Sequence, residues 1–541
     1  MTLTTQQELI INAKEESFKI NAVAGSGKTT TLLEYAKKNS HLKILYLAYN
    51  KSLQLQLQDK LQEYKLSHMQ VSTIHSLAYN KIQAYNYNLA HDLKNQVIER
   101  VLTGYEQTFN QKAYYPIPEY VALIKDLINF YCNSSLIALD TKLLDSYKKQ
   151  SDLGAKILEL ISKNEKRVLA HIKHILSSMK NKIIDATHDF YLKMFYLNKS
   201  ISSNLGYDLI LIDEAQDISD VMIGIVESQN CRRIYVGDSF QQIYSFRFAT
   251  NALNKIDLPS FDLTQSFRFG NDYAKTLQNN LNTLYEINAS KPLKISGTNQ
   301  STKIGKDSIN FDKQFCVIAR STFGLIQQIV YFIHDKKKVY FEGGYGSYSF
   351  MNQTVYSIFY LKQKKNDKIT IDEIKDFETI GELEQFAKDT KNQDYLNIIK
   401  FINTYGDNIF EINKKIKEHL VSDKNQADII FTTTHKSKGL EYEQVLMADD
   451  FISKKEIVNT KNKISHQRIN EELNIYYVAA TRAKKAIELA NLNLSYTYNE
   501  NDETTTFVKS RFLSKRADNK KSKDLQEEWL KKNRVKKIDA F

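Results

Sequence analysis

The stretch Ala22-Val23-Ala24-Gly25-Ser26-Gly27-Lys28-Thr29 constrains this chain more than any other, because few backbones take that order of small residues, lysine and hydroxyl. Phe18-Lys19-Ile20-Asn21 before it reads as a strand, and Thr29-Thr30-Thr31-Leu32-Leu33-Glu34-Tyr35 after it reads as a helix. That is the context a phosphate-cradling loop requires. In such a loop Ala22, Gly25, Ser26 and Gly27 let backbone N–H groups wrap phosphate oxygens. Lys28 meets the β- and γ-phosphates as a point charge, and the hydroxyl of Thr29, with Thr30 beside it, reaches Mg²⁺ at the helix N-terminus. Ala22 stands where a first glycine is usual.

A second stretch, Leu209-Ile210-Leu211-Ile212-Asp213-Glu214-Ala215-Gln216-Asp217, reads as a buried strand of four apolar residues. Asp213 and Glu214 at its end place two carboxylates where a metal–nucleotide complex would sit. An ordinary strand ending in a solvated acidic turn would not account for its pairing with Lys28. Together the two stretches imply hydrolysis of a nucleoside triphosphate.

With 541 residues the chain has room for about three or four domains. At 42% hydrophobic residues a core is not limiting. The formal charge of +12 suits a polyanionic partner without separating DNA from RNA or an acidic protein. Cys132, Cys231 and Cys316 have no paired spacing, so neither a disulfide framework nor a metal cluster is indicated. The N-terminus lacks a basic segment followed by an apolar core, and no apolar run reaches membrane-spanning length. This points to an intracellular protein without a membrane partner; the expected setting is nucleoid-associated, either the cytoplasm of a bacterium or of a phage-infected cell or another intracellular compartment.

From 88 to 185 the sequence carries Lys, Leu, Ile and Tyr at helical spacing between two segments that read as strand–helix repeats. A similar stretch, 358 to 424, interrupts the strand-like Phe315-Cys316-Val317-Ile318-Ala319 and Ile429-Ile430-Phe431-Thr432. The expected architecture is therefore α/β, with two domains each split by a helical insertion. The first is expected over 1–87 and 186–270 with its insertion at 88–185. The second is expected over 271–357 and 425–514, with a small insertion at 358–424 and a basic tail at 515–541. That tail, with Lys515, Arg516, Lys520, Lys521, Lys523 and the single tryptophan Trp529, is either a solvated segment or a docking helix for a protein or nucleic-acid partner.

Ile234-Tyr235-Val236-Gly237-Asp238 is another strand ending in an acidic turn, and Gln241 just beyond it is placed to sense a γ-phosphate. Tyr244, Phe246 and Arg247 follow, offering either base-stacking faces with a cation or two core aromatics. Arg268, in Gln265-Ser266-Phe267-Arg268-Phe269-Gly270, and Arg482, in Thr481-Arg482-Ala483, are candidates for the positive charge that γ-phosphoryl transfer needs.

In order along the chain these segments resemble the UvrD/Rep-type helicases of superfamily 1. Leu3-Thr4-Thr5-Gln6-Gln7 resembles that family's adenine-reading element, with Gln7 as the contact. Thr433-Thr434-His435-Lys436-Ser437-Lys438-Gly439-Leu440-Glu441-Tyr442 resembles its T-x-H-x-x-K-G-L-E element. By that resemblance Thr433 and His435 touch the strand and Glu441 the ribose. The resemblance further implies two RecA-like P-loop NTPase domains, ATP and Mg²⁺ as cofactors, and Glu214 as the base that positions water. It makes Phe267 the adenine-stacking residue and Arg268 and Arg482 the arginine fingers.

Asn50-Lys51 and Thr73-Ile74-His75-Ser76 resemble the strand-contacting loops, with Asn50, Thr73 and His75 as contacts; Ala48 and Tyr49 depart from the usual placement of an aromatic before Asn-Lys. Ser510-Arg511-Phe512-Leu513 resembles the domain-ending run, and Tyr496 or Tyr498 falls near the strand-separating hairpin. His188-Asp189-Phe190-Tyr191-Leu192-Lys193 and Ala48-Tyr49-Asn50-Lys51-Ser52 look most like the F-box DNA helicase branch, although the early start of the adenine element at Leu3 leaves no room for an F-box.

The implied activity is an ATP-dependent DNA helicase or single-strand translocase running 3′ to 5′, on single-stranded DNA and on duplex/single-strand junctions. It would serve repair, recombination control or defence against foreign DNA. The alternatives are an RNA-remodelling ATPase and a nucleotide-gated scaffold that binds DNA without translocating. Intact Lys28, Glu214, Arg268 and Arg482 argue against the scaffold.

Overall fold

The computed structural model describes residues 3–110, 116–150, 153–305, 307–332, 337–348, 352–390, 392–460 and 465–490. Tyr496, Tyr498, the Ser510–Leu513 run and the basic tail with Trp529 lie outside the described residues. The chain divides into two compact units. The first runs to Arg268 and takes back Leu293–Thr298 and residues 388–391, and the second holds the remaining described residues.

The first unit is built on a six-stranded sheet. Its strands are β1 (Phe18–Ala22), β2 (Ile44–Leu47), β3 (Met69–Ser72), β4 (Leu209–Ile212), β5 (Arg232–Gly237) and β6 (Ser260–Leu263). They lie in the order β6-β1-β5-β4-β2-β3, and every pairing is parallel. A parallel sheet is covered on both faces, so its central strands read as continuous apolar runs. The period of two still sorts their side chains. Ile44, Tyr46, Leu209 and Leu211 feed one core cluster, while Leu45, Leu47, Ile210 and Ile212 feed the other. Because β1, β5 and β4 are neighbours in register, the turns after Ala22, Gly237 and Ile212 emerge side by side at the carboxyl edge, where open α/β sheets place ligands.

Leu89–Ala90 and Ala186–Thr187 pair as short parallel strands, and between them run helices Asn95–Asn110, Pro118–Asn133, Thr141–Gln150 and Ala155–Lys180. Pro118 opens its helix in the first turn, where its missing N–H costs nothing. The last of these helices is broken at Asn164, whose φ of −131° is non-helical and whose side-chain amide donates to Leu160 O at 3.0 Å. Ile98, Leu102, Ile124, Leu127, Ile172 and Ile175 lie at the centre of one shared core.

The second unit has its own six-stranded sheet: β7 (Lys303–Ile304), β8 (Phe315–Ala319), β9 (Val339–Phe341), β10 (Ile429–Thr433), β11 (Tyr442–Met447) and β12 (Ala483–Glu488). The order is β7-β12-β11-β8-β10-β9, again with parallel pairings throughout. Helices Gln353–Lys362, Ile380–Asp389, Gln393–Tyr405 and Asn408–His419 lie in sequence between β9 and β10. The α/β class with two parallel sheets is the one expected from the sequence. Among the described residues no helix is long and apolar enough to cross a membrane.

Leu127 is fully buried in the helical core of the first unit. Leu127→Ala is expected to cost about 2–5 kcal/mol, read as a lower urea midpoint by far-UV circular dichroism. A midpoint equal to wild type would mean that these helices do not pack as described.

Candidate functional site

The turn after β1 is shaped by two glycines in the left-handed region, Gly25 with φ +72° and Gly27 with φ +76°. A Cβ on Gly25 would lie 2.9 Å from Ser266 Oγ and 3.0 Å from Arg268 Cβ, and one on Gly27 would lie 2.9 Å from Gln7 Nε2 and 3.5 Å from Phe267 Cε2. Both positions therefore exclude larger residues by conformation and by space. Helix Lys28–Lys38 starts at once, and its Gly27 N-cap supplies no side-chain oxygen to the first-turn N–H groups. Ser26 Oγ is buried with no hydrogen-bond partner. An orphaned buried hydroxyl, two glycines that keep the cradle open and a free helix N-terminus fit the oxygens of a polyphosphate.

Gln7, Phe267 and Arg268 meet over this loop. Gln7 is buried at the third position of its helix, in a capping box with Thr4, and donates from Nε2 to Thr31 Oγ1 at 3.2 Å. Phe267 is 42% exposed with its ring beside Gly27, and its backbone N–H donates to Gly25 O at 2.8 Å. Thr29 and Thr30 are half-buried in the first turn.

Opposite Lys28, the turn after β4 presents Asp213 and Glu214. Lys28 Nζ lies 3.0 Å from Glu214 Oε1. Burial works against the lysine's charge, but Glu214, Asp213 and Asp238 outweigh it and hold the ammonium above its ordinary pKa. Asp213 is only 2% exposed and accepts from Tyr46 Oη at 2.6 Å. Burial, then the neighbouring Glu214 charge, push its carboxyl above the usual range, with Lys28 and Tyr46 opposing. Glu214 adopts φ +53°, a left-handed conformation rare for a side-chain-bearing residue and concentrated at functional sites.

Gln216 ties this turn to the one after β5. Its Nε2 donates to Glu214 Oε2 at 2.5 Å and to Asp217 Oδ2 at 3.1 Å, and its Oε1 accepts the Asp238 backbone N–H at 3.0 Å. Asp238 in turn accepts Gln241 Nε2 at 2.7 Å. Sequence reasoning assigns Gln241 but leaves Tyr46, Gln216 and Asp238 without a role. The signal for Gln216 was its place two residues after Glu214; Tyr46 carried none, because only the β2–β4 pairing brings it to Asp213.

Along the same edge, Asn50 and Thr73 act as helix N-caps, Asn50 Oδ1 accepting from Leu53 N at 2.8 Å and Thr73 Oγ1 from Ser76 N at 3.0 Å. They border a groove of about 870 Å³ together with Tyr49, Lys51 and His75. Tyr49 stacks on Tyr244 with centroids 6.0 Å apart and planes 15° apart. Arg247 lies 5.8 Å from the Tyr244 centroid and 5.6 Å from that of Phe246. Phe246 is 62% exposed and therefore not a core residue.

Arg482, Glu441, Thr433 and His435 belong to the second unit. Arg482 is buried and donates to Val478 O at 2.8 Å, Leu440 O at 3.1 Å and Thr481 Oγ1 at 3.0 Å. Glu441 is exposed and 3.2 Å from Lys484 Nζ, Thr433 is buried, and His435 is half-buried. Glu472, at the end of the Glu471-Glu472 pair, receives Arg320 Nε at 2.9 Å and Nη2 at 2.5 Å, a bidentate ion pair.

A Cβ on Gly237 would fall 2.2 Å from Gln216 Oε1 and 3.1 Å from the Ala215 and Gln216 backbone nitrogens. Gly237→Ala is expected to cost about 1–3 kcal/mol and to lower the thermal midpoint. The double variant Gly237→Ala/Gln216→Ala should be less strained than the sum of the two single changes, because the amide oxygen that clashes is gone. A Gly237→Ala protein that melts with wild type would overturn the close approach.

Residues 3–256 match the family model described as the UvrD/REP helicase N-terminal domain. The chain is 30% identical over 517 residues to F-box DNA helicase 1 of Gallus gallus, covering 90% of this chain and 48% of that protein. It is 29% identical over 519 residues to F-box DNA helicase protein 1 of Schizosaccharomyces pombe, covering 90% of this chain and 57% of that one. The chain thus spans about half the length of the curated relatives it matches. The matched stretch contains the cradle, Lys28, the Asp213-Glu214 turn and Gln241, so that it is over this site that the chain is similar to the UvrD/REP helicase N-terminal domain.

Proposed function

We propose that this chain is an ATP-dependent motor on single-stranded DNA, a helicase or translocase that moves 3′ to 5′ and acts at duplex/single-strand junctions. The observation that carries the reading is the Lys28–Glu214 pair, set against the open phosphate cradle and linked through Gln216 to Asp238 and Gln241. Two similar proteins are named DNA helicases, which favours DNA over RNA.

In this reading Gly25, Ser26, Gly27, Lys28 and Thr30 hold the phosphates, with Ala22 closing the strand beneath them. Gln7 and Phe267 take the adenine and Glu441 the ribose. Thr29 and Asp213 are the residues that would hold Mg²⁺, which when bound neutralises charge on the phosphates. Lys28 has two competing partners, the phosphates and Glu214. A polyphosphate that draws its ammonium away lifts that ion pair from Glu214, whose carboxylate then orients water and accepts its proton. Arg268 and Arg482 supply positive charge to the equatorial oxygens, and Gln241 senses the γ-phosphate. The strand contacts are Asn50, Thr73, His75, Tyr244, Phe246 and Arg247 in the first unit and Thr433 and His435 in the second.

The domain division at 1–87 with 186–270, 88–185, 271–357 with 425–514, and 358–424 belongs to the same proposal. So do an intracellular setting, a role in repair, recombination control or defence, and a partner for the 515–541 tail.

The test is steady-state ATP hydrolysis with single-stranded DNA, single-stranded RNA, duplex DNA or no nucleic acid, beside Glu214→Gln. Stimulation by single-stranded DNA, with turnover falling about a hundredfold or more in the variant while nucleotide binding persists, is the expected outcome. Stronger stimulation by RNA would favour an RNA-remodelling ATPase. Nucleotide binding without hydrolysis on any nucleic acid would favour a nucleotide-gated scaffold.

A further inference from the structure

Helix His188–Leu197 packs on helix Ile74–Lys81 and brings a cluster of imidazoles to the end of the groove. His75 Nε2 is 3.5 Å from Asp189 Oδ1, and this buried nitrogen makes no hydrogen bond. Asp189 is held from the other side by Asn133 Nδ2 at 2.9 Å, from the end of helix Pro118–Asn133. His188 Nδ1 is 3.3 Å from Tyr191 Oη, and its ring centroid is 5.5 Å from that of the exposed His91. His75 and His188 thus act on one carboxylate, and His91 lies against His188. His188, His75 and Tyr191 line the groove together with Lys51, and no carboxylate is among its described lining residues.

We propose that His188 and His91, together with His75, form a phosphodiester-binding site at this end of the groove, with Asp189 as the residue that positions His75. The site takes the backbone of a single strand, so the inference rests on the proposed strand-binding function, in which His75 already figures, and extends it to His188, His91 and Asp189, to which neither the sequence motifs nor the similar proteins assign a role.

Charge supports this arrangement. Burial lowers the pKa of His188, and His75 and His91 lower it further, against the pull of Asp189. For Asp189, burial acts upward, but His75, Asn133 and His188 hold the carboxyl below its ordinary value. The other ionisable groups nearby are already engaged. Asp92, beside His91, pairs with Lys125 at 2.5 Å, and Lys193 turns away to Ser134 O at 2.8 Å and Leu136 O. The Cys132 thiol is buried and pushed up, and the Tyr191 phenol is pushed up to about 12, so neither supplies a negative charge. A phosphate oxygen beside the imidazoles provides the missing anion and raises their pKa in the complex. Protons are then taken up on binding, and affinity rises as pH falls through the bound-state pKa until the free-state value is passed.

The test is fluorescence anisotropy of a labelled thymidine oligonucleotide with the full chain, from pH 8 to pH 6 at fixed ionic strength. The comparison covers wild type, His188→Gln, His91→Gln, Asp189→Asn and, as a control outside the cluster, the exposed His41→Gln. Wild type and His41→Gln should tighten about fivefold or more over this range, and His188→Gln and His91→Gln by about twofold or less. Loss of a phosphate contact should also flatten the salt dependence, by about 0.7 in the log–log slope per contact. His91 is exposed, so its variant should fold even where His188→Gln does not. If His188→Gln and His91→Gln keep the wild-type pH and salt slopes, the site is overturned while strand binding stands. If wild type binds no oligonucleotide at any pH, the strand-binding function itself fails.

Discussion

The interaction on which the rest of the site depends is the partly enclosed ammonium of Lys28 among three carboxylates. A lysine taken out of water loses solvation, and it is kept charged here only because Glu214, Asp213 and Asp238 converge on it. That convergence requires three turns, after β1, β4 and β5, to emerge together, which in turn requires parallel register across three neighbouring strands. A slip of one residue in any of them would turn the apolar side chains of that strand to the wrong face and carry the carboxylates away.

Around this pair the structure places groups whose chemistry complements rather than duplicates it. Tyr46 shares out the charge of Asp213, and Gln216 uses both ends of its amide to join Glu214 to the Asp238 backbone. Gly237 is small because that amide passes directly over it. The positive φ of Glu214 is tolerated because its backbone N–H donates to Asp213 Oδ1 at 2.8 Å and its carboxylate is held by Lys28 and Gln216. This set joins the phosphate cradle to the turn that carries Gln241 through contacts of ordinary hydrogen-bond length.

The groove beside it is built on a different principle. Asn50 and Thr73 spend their side chains on helix capping, so what they offer a ligand is mainly the loop backbone they shape. Tyr49, Tyr79 and Tyr191 with the imidazoles of His75 and His188 supply the rest, and Tyr49 stacks on Tyr244, which lies beside the largely exposed Phe246. This surface suits a polymer gripped by its backbone and base faces irrespective of sequence. The His188-Asp189 pair, to which its local run assigns no chemical role, sits here with Asp189 held between His75 and Asn133.

The phosphate cradle and the acidic strand were legible in the sequence, because small residues at fixed offsets and a four-residue apolar run ending in carboxylates are local properties of the chain. So was the α/β class, since alternating strand-like and helix-like segments impose a parallel sheet. Local patterns could not decide whether Tyr244 and Phe246 were core or surface, and exposure in the folded chain answers this for Phe246. Nor could they pair Tyr46 with Asp213 across 167 residues, or Asn133 with Asp189 across 56. The sequence by itself determined which chemical groups sit at each strand end, because that follows from neighbours along the chain. Only the tertiary structure decided which strand ends meet, because strand order and register are set by burial of both sheet faces, a property of the whole core.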